Sequence, residues 1–149
     1  MLRHEARVRS FLARLCRGEG ADDLAQETFL KAWRQAGAYR GEGSYAGWLL
    51  RIAWREFLSH RRRRPEAALP FEDDLHGGRI EADPGARLDV DRALAALDPR
   101  ERAAALLCFG EGYSHQEAAE ILDLPLGTLK SIAARARSKL ANFLGGDPQ

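Results

Sequence analysis

The chain has 149 residues, 45% of them hydrophobic and 30% charged, and its formal net charge is +1. This composition excludes a disordered chain and a uniformly basic, histone-like nucleic-acid binder. No apolar run approaches the ~20 residues that span a bilayer, and the start of the chain lacks the apolar core of a signal peptide. We therefore expect a cytoplasmic protein without membrane insertion.

The cysteines and histidines do not form a metal-binding pattern. Cys16 and Cys108 belong to no C-x-x-C motif, and the four histidines are scattered along the chain. We expect no metal and no cofactor, with both cysteines acting as small buried hydrophobic residues. No carboxylate pair, Cys/His arrangement or phosphate-binding glycine loop indicates catalysis, so no catalytic residue and no enzyme are predicted.

The charges are segregated although the net charge is small. Residues 51–64 hold six arginines against one glutamate, and residues 125–144 hold four basic residues and no acid. Residues 71–98 hold eight acids against three arginines. Two basic blocks therefore flank an acidic one.

The first part of the chain reads as two helices. Apolar residues at a 3.6-residue period predict a helix from Leu2 to Arg17. The acids Asp22 and Asp23 suit the cap and first turn of a second helix, and Gly37 suits its end. A glycine-containing loop follows.

A third helix is predicted between a cap at Ser44 and a stop at Pro65. It carries two apolar stripes, and a helix that is apolar on two sides is not stable facing water. One stripe should face the core, and the other should meet a neighbouring helix or a partner. The stripes are Tyr45, Trp48, Leu49 and Ile52, and Leu50, Trp54, Phe57 and Leu58.

Residues 65–88 contain prolines, a glycine pair and acids with little periodicity, which predicts a linker. Two S/D-x-x-E capping boxes then begin helices at Asp98 and at Ser114. A last helix is predicted from Thr128 to Phe143. Its inward residues should be Leu129, Ala133, Ala136 and Leu140.

The last two helices and their turn fit a helix-turn-helix, whose second helix would enter a major groove. The same spacing also fits a plain helical hairpin in an α bundle. The predicted fold is all-α, with two small helical domains, residues 1–64 and 89–145, joined by a flexible linker over 65–88.

Four segments of the sequence occur in an order that indicates a protein family. They are "ADDLAQETFLKAW", "SYAGWLLRIA" before an arginine run, "ALAALDPRERAAALLCFGEGYSHQEAAEILDLPLGTLKS" and "ARARSKL". This set resembles the extracytoplasmic-function class of bacterial RNA polymerase sigma factors. The resemblance implies an N-terminal domain that docks on the β′ clamp helices of core RNA polymerase and opens the downstream promoter element. It implies a C-terminal helix-turn-helix that binds the upstream promoter element and the β flap, and an anti-sigma factor as a further partner.

The resemblance implies a polymerase-binding face on the second helix. A mixed acidic and apolar face would suit a basic coiled-coil partner. The alternative is that Leu30 and Trp33 are core residues. The matching positions are Asp23, Gln26, Glu27, Leu30 and Trp33.

The resemblance also implies DNA contacts by the first domain. Exposed aromatic rings beside the loop could stack on an unpaired base, while arginines of the third helix could neutralise phosphates. Trp48 is expected in the core, and a solvated charge run is the alternative for the arginines. The DNA-binding candidates are Tyr39, Ser44, Tyr45, Arg51, Trp54, Arg55, Arg61 and Arg62.

In the second domain, the family's recognition-helix motif falls on the start of the last helix. The amide-rich N-terminus there could bind a phosphate, and polar side chains could reach base edges. Arg137 and Lys139 could instead be solvated helix-end charges. The DNA-binding candidates are His115, Thr128, Lys130, Ser131, Arg135 and Arg137.

The chain departs from the family where Trp54 and Arg55 replace a common Arg-Asn pair, and where Ile132 replaces an arginine of the recognition helix. Losing a bidentate arginine would remove a contact of ~1–3 kcal/mol. The first hypothesis is a sigma factor that directs core polymerase to specific promoters. The second is a sigma-like decoy that binds an anti-sigma factor without promoter recognition. A free-standing regulator using only the C-terminal motif would leave the N-terminal domain unexplained.

Overall fold

The structure is a computed structural model and describes residues 2–17, 20–39, 44–63 and 86–145. Within these ranges every regular element is helical, and no described residue lies in a strand. The all-α prediction is confirmed. The chain divides into two compact units, Met1–Pro70 and Phe71–Gln149.

The first unit is a bundle in which each helix packs against the other two. Its elements are α1 (Leu2–Cys16), α2 (Ala21–Arg34), a short 3₁₀ turn (Ala36–Ala38) and α3 (Tyr45–Arg63).

Helix α3 packs against both α1 and α2 and uses both of its predicted stripes inside the bundle. Leu49 of the first stripe and Leu50 of the second are both at most 1% exposed. The second stripe therefore contacts neighbouring helices rather than an outside partner. A helix with a neighbour on each side needs two apolar faces. From α1, the buried residues are Val8, Phe11, Leu12 and Leu15.

The helix caps of this unit agree only in part with those predicted from the sequence. Gly20 precedes α2 with φ of 74°, in the left-handed region that favours glycine, and no side chain caps the helix. Asp22 and Asp23 lie in the first turn instead, where carboxylates favour the helix dipole. Ser44 does cap α3, because its Oγ accepts a hydrogen bond of 2.8 Å from the Gly47 amide.

The second unit has four helices within the described residues. They are α4 (Ala86–Ala95), α5 (Pro99–Ala105), α6 (His115–Leu122) and α7 (Leu126–Leu140), with π-helical turns over Leu106–Gly110 and Ala141–Gly145. The sequence does not predict helix α4, whose first three residues fall within the predicted linker. Residues 64–85, which include the rest of the predicted linker, lie outside the described residues.

Both predicted capping boxes are confirmed. The Glu101 amide donates to Asp98 Oδ1 at 2.9 Å, and Glu101 Oε1 accepts from the Asp98 amide at 3.1 Å. The box at the start of α6 has the same reciprocal pair, between Ser114 and Glu117. Four backbone amides without an intrahelical acceptor are thereby satisfied at two helix starts.

Arg102, next to the first capping box, is a buried cation that the sequence analysis did not identify. It is 6% exposed. Its Nε donates to the carbonyl oxygen of Leu94 at 2.9 Å, and its Nη2 donates to that of Leu97 at 2.7 Å. The guanidinium therefore satisfies carbonyl groups at the end of α4 and links α4 to α5.

Helices α6 and α7 are joined by a tight turn. Asp123 has φ of 59° and ends α6, and the Leu124 amide donates to the Ala119 carbonyl at 2.9 Å. Helix α7 buries Leu129, Ala133 and Ala136 as predicted, each at 2% exposure or less. These three residues and the turn give the second unit a helix-turn-helix geometry.

Candidate functional site

The exposed face of α2 carries two large apolar side chains. Leu30 is 44% exposed and Trp33 is 79% exposed. The alternative that they are core residues is therefore wrong for this unit. A tryptophan that remains in water while smaller residues fill the core indicates a contact surface.

Around these residues lies an open groove of about 460 Å³, lined by Arg9, Gln26, Phe29, Leu30 and Trp33. Arg9 comes from α1 and sits over the Phe29 ring, with its Cζ 5.6 Å from the ring centroid. Sequence reasoning missed Arg9 and Phe29, because only the packing of α1 on α2 brings them to this face.

Two acidic residues lie on the same side of α2 as the apolar pair of this groove. Asp23 is exposed and Glu27 is partly buried, and their spacing from Leu30 places both on the same side of α2 as the apolar pair. The predicted polymerase-binding residues thus share one helix face. Such a mixed face is suited to a partner with basic and apolar side chains.

An aromatic cluster lies where α3 begins. The Tyr39 ring is 5.3 Å from both the Tyr45 ring and the Trp48 ring, measured between centroids, and Tyr45 is 5.6 Å from Trp48. His4 of α1 packs edge-on against Tyr45 at 5.3 Å. All four side chains are partly buried, so Trp48 is not a fully buried core residue. Their mutual packing holds the rings in fixed positions beside the loop.

Ser44 precedes this cluster and is exposed, but its Oγ is already the acceptor of the α3 cap. A serine hydroxyl that accepts one hydrogen bond still has its own hydrogen to donate and a second lone pair. Residues 40–43 of the predicted base-capturing loop lie outside the described residues.

The arginines of α3 have different environments. Arg55 and Arg62 are exposed, Arg51 is partly buried, and their spacing puts all three on one side of the helix. Arg61 instead lies over the Phe57 ring at 5.6 Å. The structure therefore brings Arg51, Arg55 and Arg62 together as a basic stripe and sets Arg61 apart.

Trp54 is not a DNA-binding residue in this structure, which corrects the prediction from the sequence. It is 2% exposed and stacks on Phe57 with ring centroids 5.5 Å apart. The indole belongs to the second apolar stripe of α3, which the neighbouring helices cover. The departure from the family at this position therefore concerns packing.

On the helix-turn-helix, the outer face of α7 is polar and accessible. All six predicted residues are exposed, His115 at the start of α6 and Thr128, Lys130, Ser131, Arg135 and Arg137 on α7. The first turn of α7 also offers its backbone amides, since Pro125 is the N-cap and no side chain caps the helix by a hydrogen bond. This face can contact phosphates and base edges.

Ile132, where the family commonly has an arginine, points inward. It is 3% exposed and lies in the buried stripe with Leu129, Ala133 and Ala136. The predicted loss of a DNA contact at this position is therefore wrong, because the position does not belong to the outer face. Its spacing of three residues from Leu129 and four from Ala136 could have shown this.

Arg135, another predicted DNA-binding residue of this domain, has a carboxylate partner. Its Nε lies 3.4 Å from Oε2 of Glu101, and the Arg135 side chain remains 57% exposed. Lys139, one turn further along, donates from Nζ to both Glu101 oxygens at 3.0 Å. Burial by itself would raise the pKa of Glu101. The hydrogen bond from Lys139, the bond from the Asp98 amide, the charge of Lys139 and the Arg135 bond outweigh it, so the pKa is lowered.

The two cysteines are partly buried rather than fully buried. Burial raises the pKa of the Cys108 thiol. Within the described ranges, no three His, Cys, Asp or Glu side chains are grouped to hold a metal ion. Among the described helices, none has the length and apolar character needed to cross a membrane.

Family profiles and known proteins resemble this chain. The family profile Sigma-70 region 2 matches residues 1–65, and the profile Sigma-70, region 4 matches residues 87–140. The ECF RNA polymerase sigma-E factor of Haemophilus influenzae is 32% identical over 160 residues, covering 94% of this chain and 82% of that relative. The chain belongs to the extracytoplasmic-function family of RNA polymerase sigma factors. This family consists of transcription initiation factors and not of enzymes.

Another relative of this sigma factor is the ECF RNA polymerase sigma factor SigM of Mycobacterium tuberculosis, 37% identical over 128 residues. That match covers 85% of this chain but 65% of SigM, so the chain spans just under two thirds of that relative's length. Among solved structures, it resembles the sigma factor RpoE in complex with the anti-sigma factor NepR from Bartonella quintana. The TM-score is 0.80 at 31% identity, covering 99% of this chain and 95% of RpoE.

Proposed function

We propose that this sigma factor binds core RNA polymerase and directs it to specific promoters, reading DNA with both of its units. The observation that carries this function is the exposure of Trp33 and Leu30 on the acidic face of α2. A helix-turn-helix regulator that acts alone has no use for such a surface. A subunit that must dock on a larger partner does.

In this proposal each unit has a separate task. Residues 1–64 dock on the β′ clamp helices through α2 and engage the downstream promoter element through the aromatic cluster and the basic stripe of α3. Rings held by their neighbours can stack on an unpaired base, and arginines neutralise phosphates without reading sequence. Residues 89–145 bind the upstream element through α7 and contact the β flap. Core polymerase and promoter DNA place this activity in the cytoplasm.

The second candidate is a decoy that binds an anti-sigma factor, and the RpoE structure, which contains an anti-sigma factor, supports only the binding. We infer that this chain also binds an anti-sigma factor. The exposed polar face of α7 favours a working sigma factor over a decoy, since Thr128, Lys130 and Ser131 are all accessible. Binding of an inhibitor would then regulate an active protein.

Transcription in vitro with purified core polymerase tests the function. The protein should bind core and start transcription at a small set of promoters from its own genome. Failure both to bind core and to initiate at any genomic promoter would contradict the proposal. Binding to a candidate anti-sigma factor without binding to core would favour the decoy instead.

A further inference from the structure

Glu101 is a buried carboxylate placed against the DNA-facing helix. The residue is 2% exposed, although its partners Arg135 and Lys139 on α7 have side chains that are 57% and 52% exposed. One buried carboxylate therefore binds two cationic side chains that reach the surface. An acid in this position lowers the positive charge that α7 presents to solvent.

The carboxylate cannot easily follow its partners away from the domain. Its Oε1 accepts from the Asp98 amide at 3.1 Å, as part of the capping box that begins α5. The same residue therefore fixes a helix start and holds two side chains of the next helix but one. A phosphate that recruits Lys139 or Arg135 must compete with an acid that stays in place.

This competition acts on the part of DNA binding that ignores sequence. Contacts to phosphate supply nearly all of the nonspecific affinity, and each one depends on a free cation. Of the four basic residues of α7, two are restrained by Glu101, while Lys130 is exposed and no described carboxylate pairs with it. A cognate site can compensate through base contacts, and a random duplex cannot.

We propose that Glu101 is a specificity-determining positioning residue that restrains Arg135 and Lys139 and so weakens binding of α7 to DNA of arbitrary sequence. This inference rests on the proposed function only in taking α7 as the helix that faces DNA. Glu101 itself touches no nucleotide. It acts through the two side chains that it holds.

The test compares Glu101→Gln with Glu117→Gln in the full chain. Glutamine can keep both capping boxes, and both variants lose one negative charge. Glu117 is the matched control, because it forms the equivalent box on α6 and has no ion pair among the described residues. Binding to a fluorescent duplex of scrambled sequence is measured over a series of salt concentrations.

Glu101→Gln should bind the scrambled duplex at least about threefold more tightly at low salt than Glu117→Gln does. One further phosphate contact steepens the salt slope by about 0.9, which adds a loss of about 3.5-fold between roughly 50 and 200 mM salt. Equal affinities and equal slopes for the two variants, or no measurable duplex binding by either, would overturn the inference. A purely structural role of Glu101 would lower the unfolding midpoint without steepening the slope.

Substitutions of the lysines form a second arm in which the Glu101 side chain itself is unchanged. Lys139→Ala should reduce the salt slope less than Lys130→Ala does, because the charge of Lys139 is already balanced by Glu101. Equal reductions would count against the restraint. If Glu101→Gln does not fold, the comparison of the two lysine variants tests the restraint by itself.

The same variants separate this inference from the proposed function. If Glu101→Gln behaves like its control while the native protein initiates transcription with core polymerase, only the restraint is wrong. If the salt slope shifts as expected but the native protein never initiates transcription, the restraint holds and the sigma-factor function fails.

Discussion

The Nζ of Lys31 lies 3.1 Å from Oε2 of Glu56, so an ion pair joins the helix with the exposed tryptophan to the helix with the basic stripe. Glu56 is 7% exposed and sits among the apolar residues of α3. The ion pair with Lys31 therefore offsets the free-energy cost of burying this carboxylate. The pair fixes how α2 lies on α3, and with it the orientation of both candidate surfaces.

Removing Lys31 alone should destabilise the first unit. Lys31→Met leaves the buried Glu56 carboxylate without its partner, which should cost about 1–3 kcal/mol in the free energy of unfolding. The double variant Lys31→Met, Glu56→Met should recover at least half of that loss, because no buried charge remains. Urea unfolding measures both, and a double variant less stable than the single one would contradict the account.

Trp33→Ala should weaken binding to core polymerase without affecting the fold. A tryptophan at the centre of an interface can contribute about 2 kcal/mol or more, which corresponds to about 30-fold in affinity. Since the side chain is 79% exposed, its removal creates no cavity. Arg34→Ala, an exposed neighbour on α2, is the control. Affinity for core and the unfolding midpoint are measured, and a drop in midpoint equal to that of a core substitution would show the residue to be structural.

Trp54→Ala should show the opposite behaviour. Deleting a side chain that is 2% exposed leaves a cavity in the bundle, and the expected cost is about 3–5 kcal/mol. Trp54→Phe should retain much of the stability and all of the affinity for a promoter fragment in the presence of core. A Trp54→Phe variant that folds normally but has lost promoter binding would show that Trp54 contacts DNA.

The isoleucine of the recognition helix gives a test of which way the helix faces. Ile132→Arg, which restores the common family residue, should cost at least about 2 kcal/mol, because it places a charged group in a packed site. Ala134→Arg adds the same side chain at an exposed position and should leave stability within about 0.5 kcal/mol. Thermal unfolding of both variants would decide, and a stable Ile132→Arg with stronger DNA binding would place that residue on the outer face.

Glu101 should make stability depend on pH in the acid range. Its pKa is lower in the folded protein than in the unfolded chain, so protonation favours unfolding. The stabilisation is complete above the ordinary glutamate pKa of about 4.3 and is lost as the pH falls through the lower folded value. The stability difference between the native protein and Glu101→Gln should be constant near neutral pH and shrink on acidification. A difference that grew on acidification would have the wrong sign.

The features that could be predicted from the sequence are those that nearby residues determine. The capping boxes at Asp98 and Ser114 need only a short polar residue and a glutamate three positions later. The buried stripe of α7 needs only a helical period. The exposure of Trp33 could not be derived in this way, because its period fits a core residue equally well.

Apart from Ile132 and the cap of α2, the errors involve contacts between distant segments. Helix α4 has a weak apolar pattern and is held by Arg102, which lies beyond the next helix start. Trp54 could be assigned to the core only when both neighbours of α3 were known. Glu101 was identified as a cap, but its bonds to Arg135 and Lys139 span 34 and 38 positions. No local pattern contains that information.

The Arg102 guanidinium also sets the size of the smallest fragment that can fold as the second unit. Its acceptors are the carbonyls of Leu94 and Leu97, which precede the helix that bears it. A fragment beginning at Asp98 would keep the whole helix-turn-helix yet remove the acceptors of two hydrogen bonds from a buried cation. The unit that can be expressed, swapped between sigma factors or grafted onto another protein therefore has to include α4.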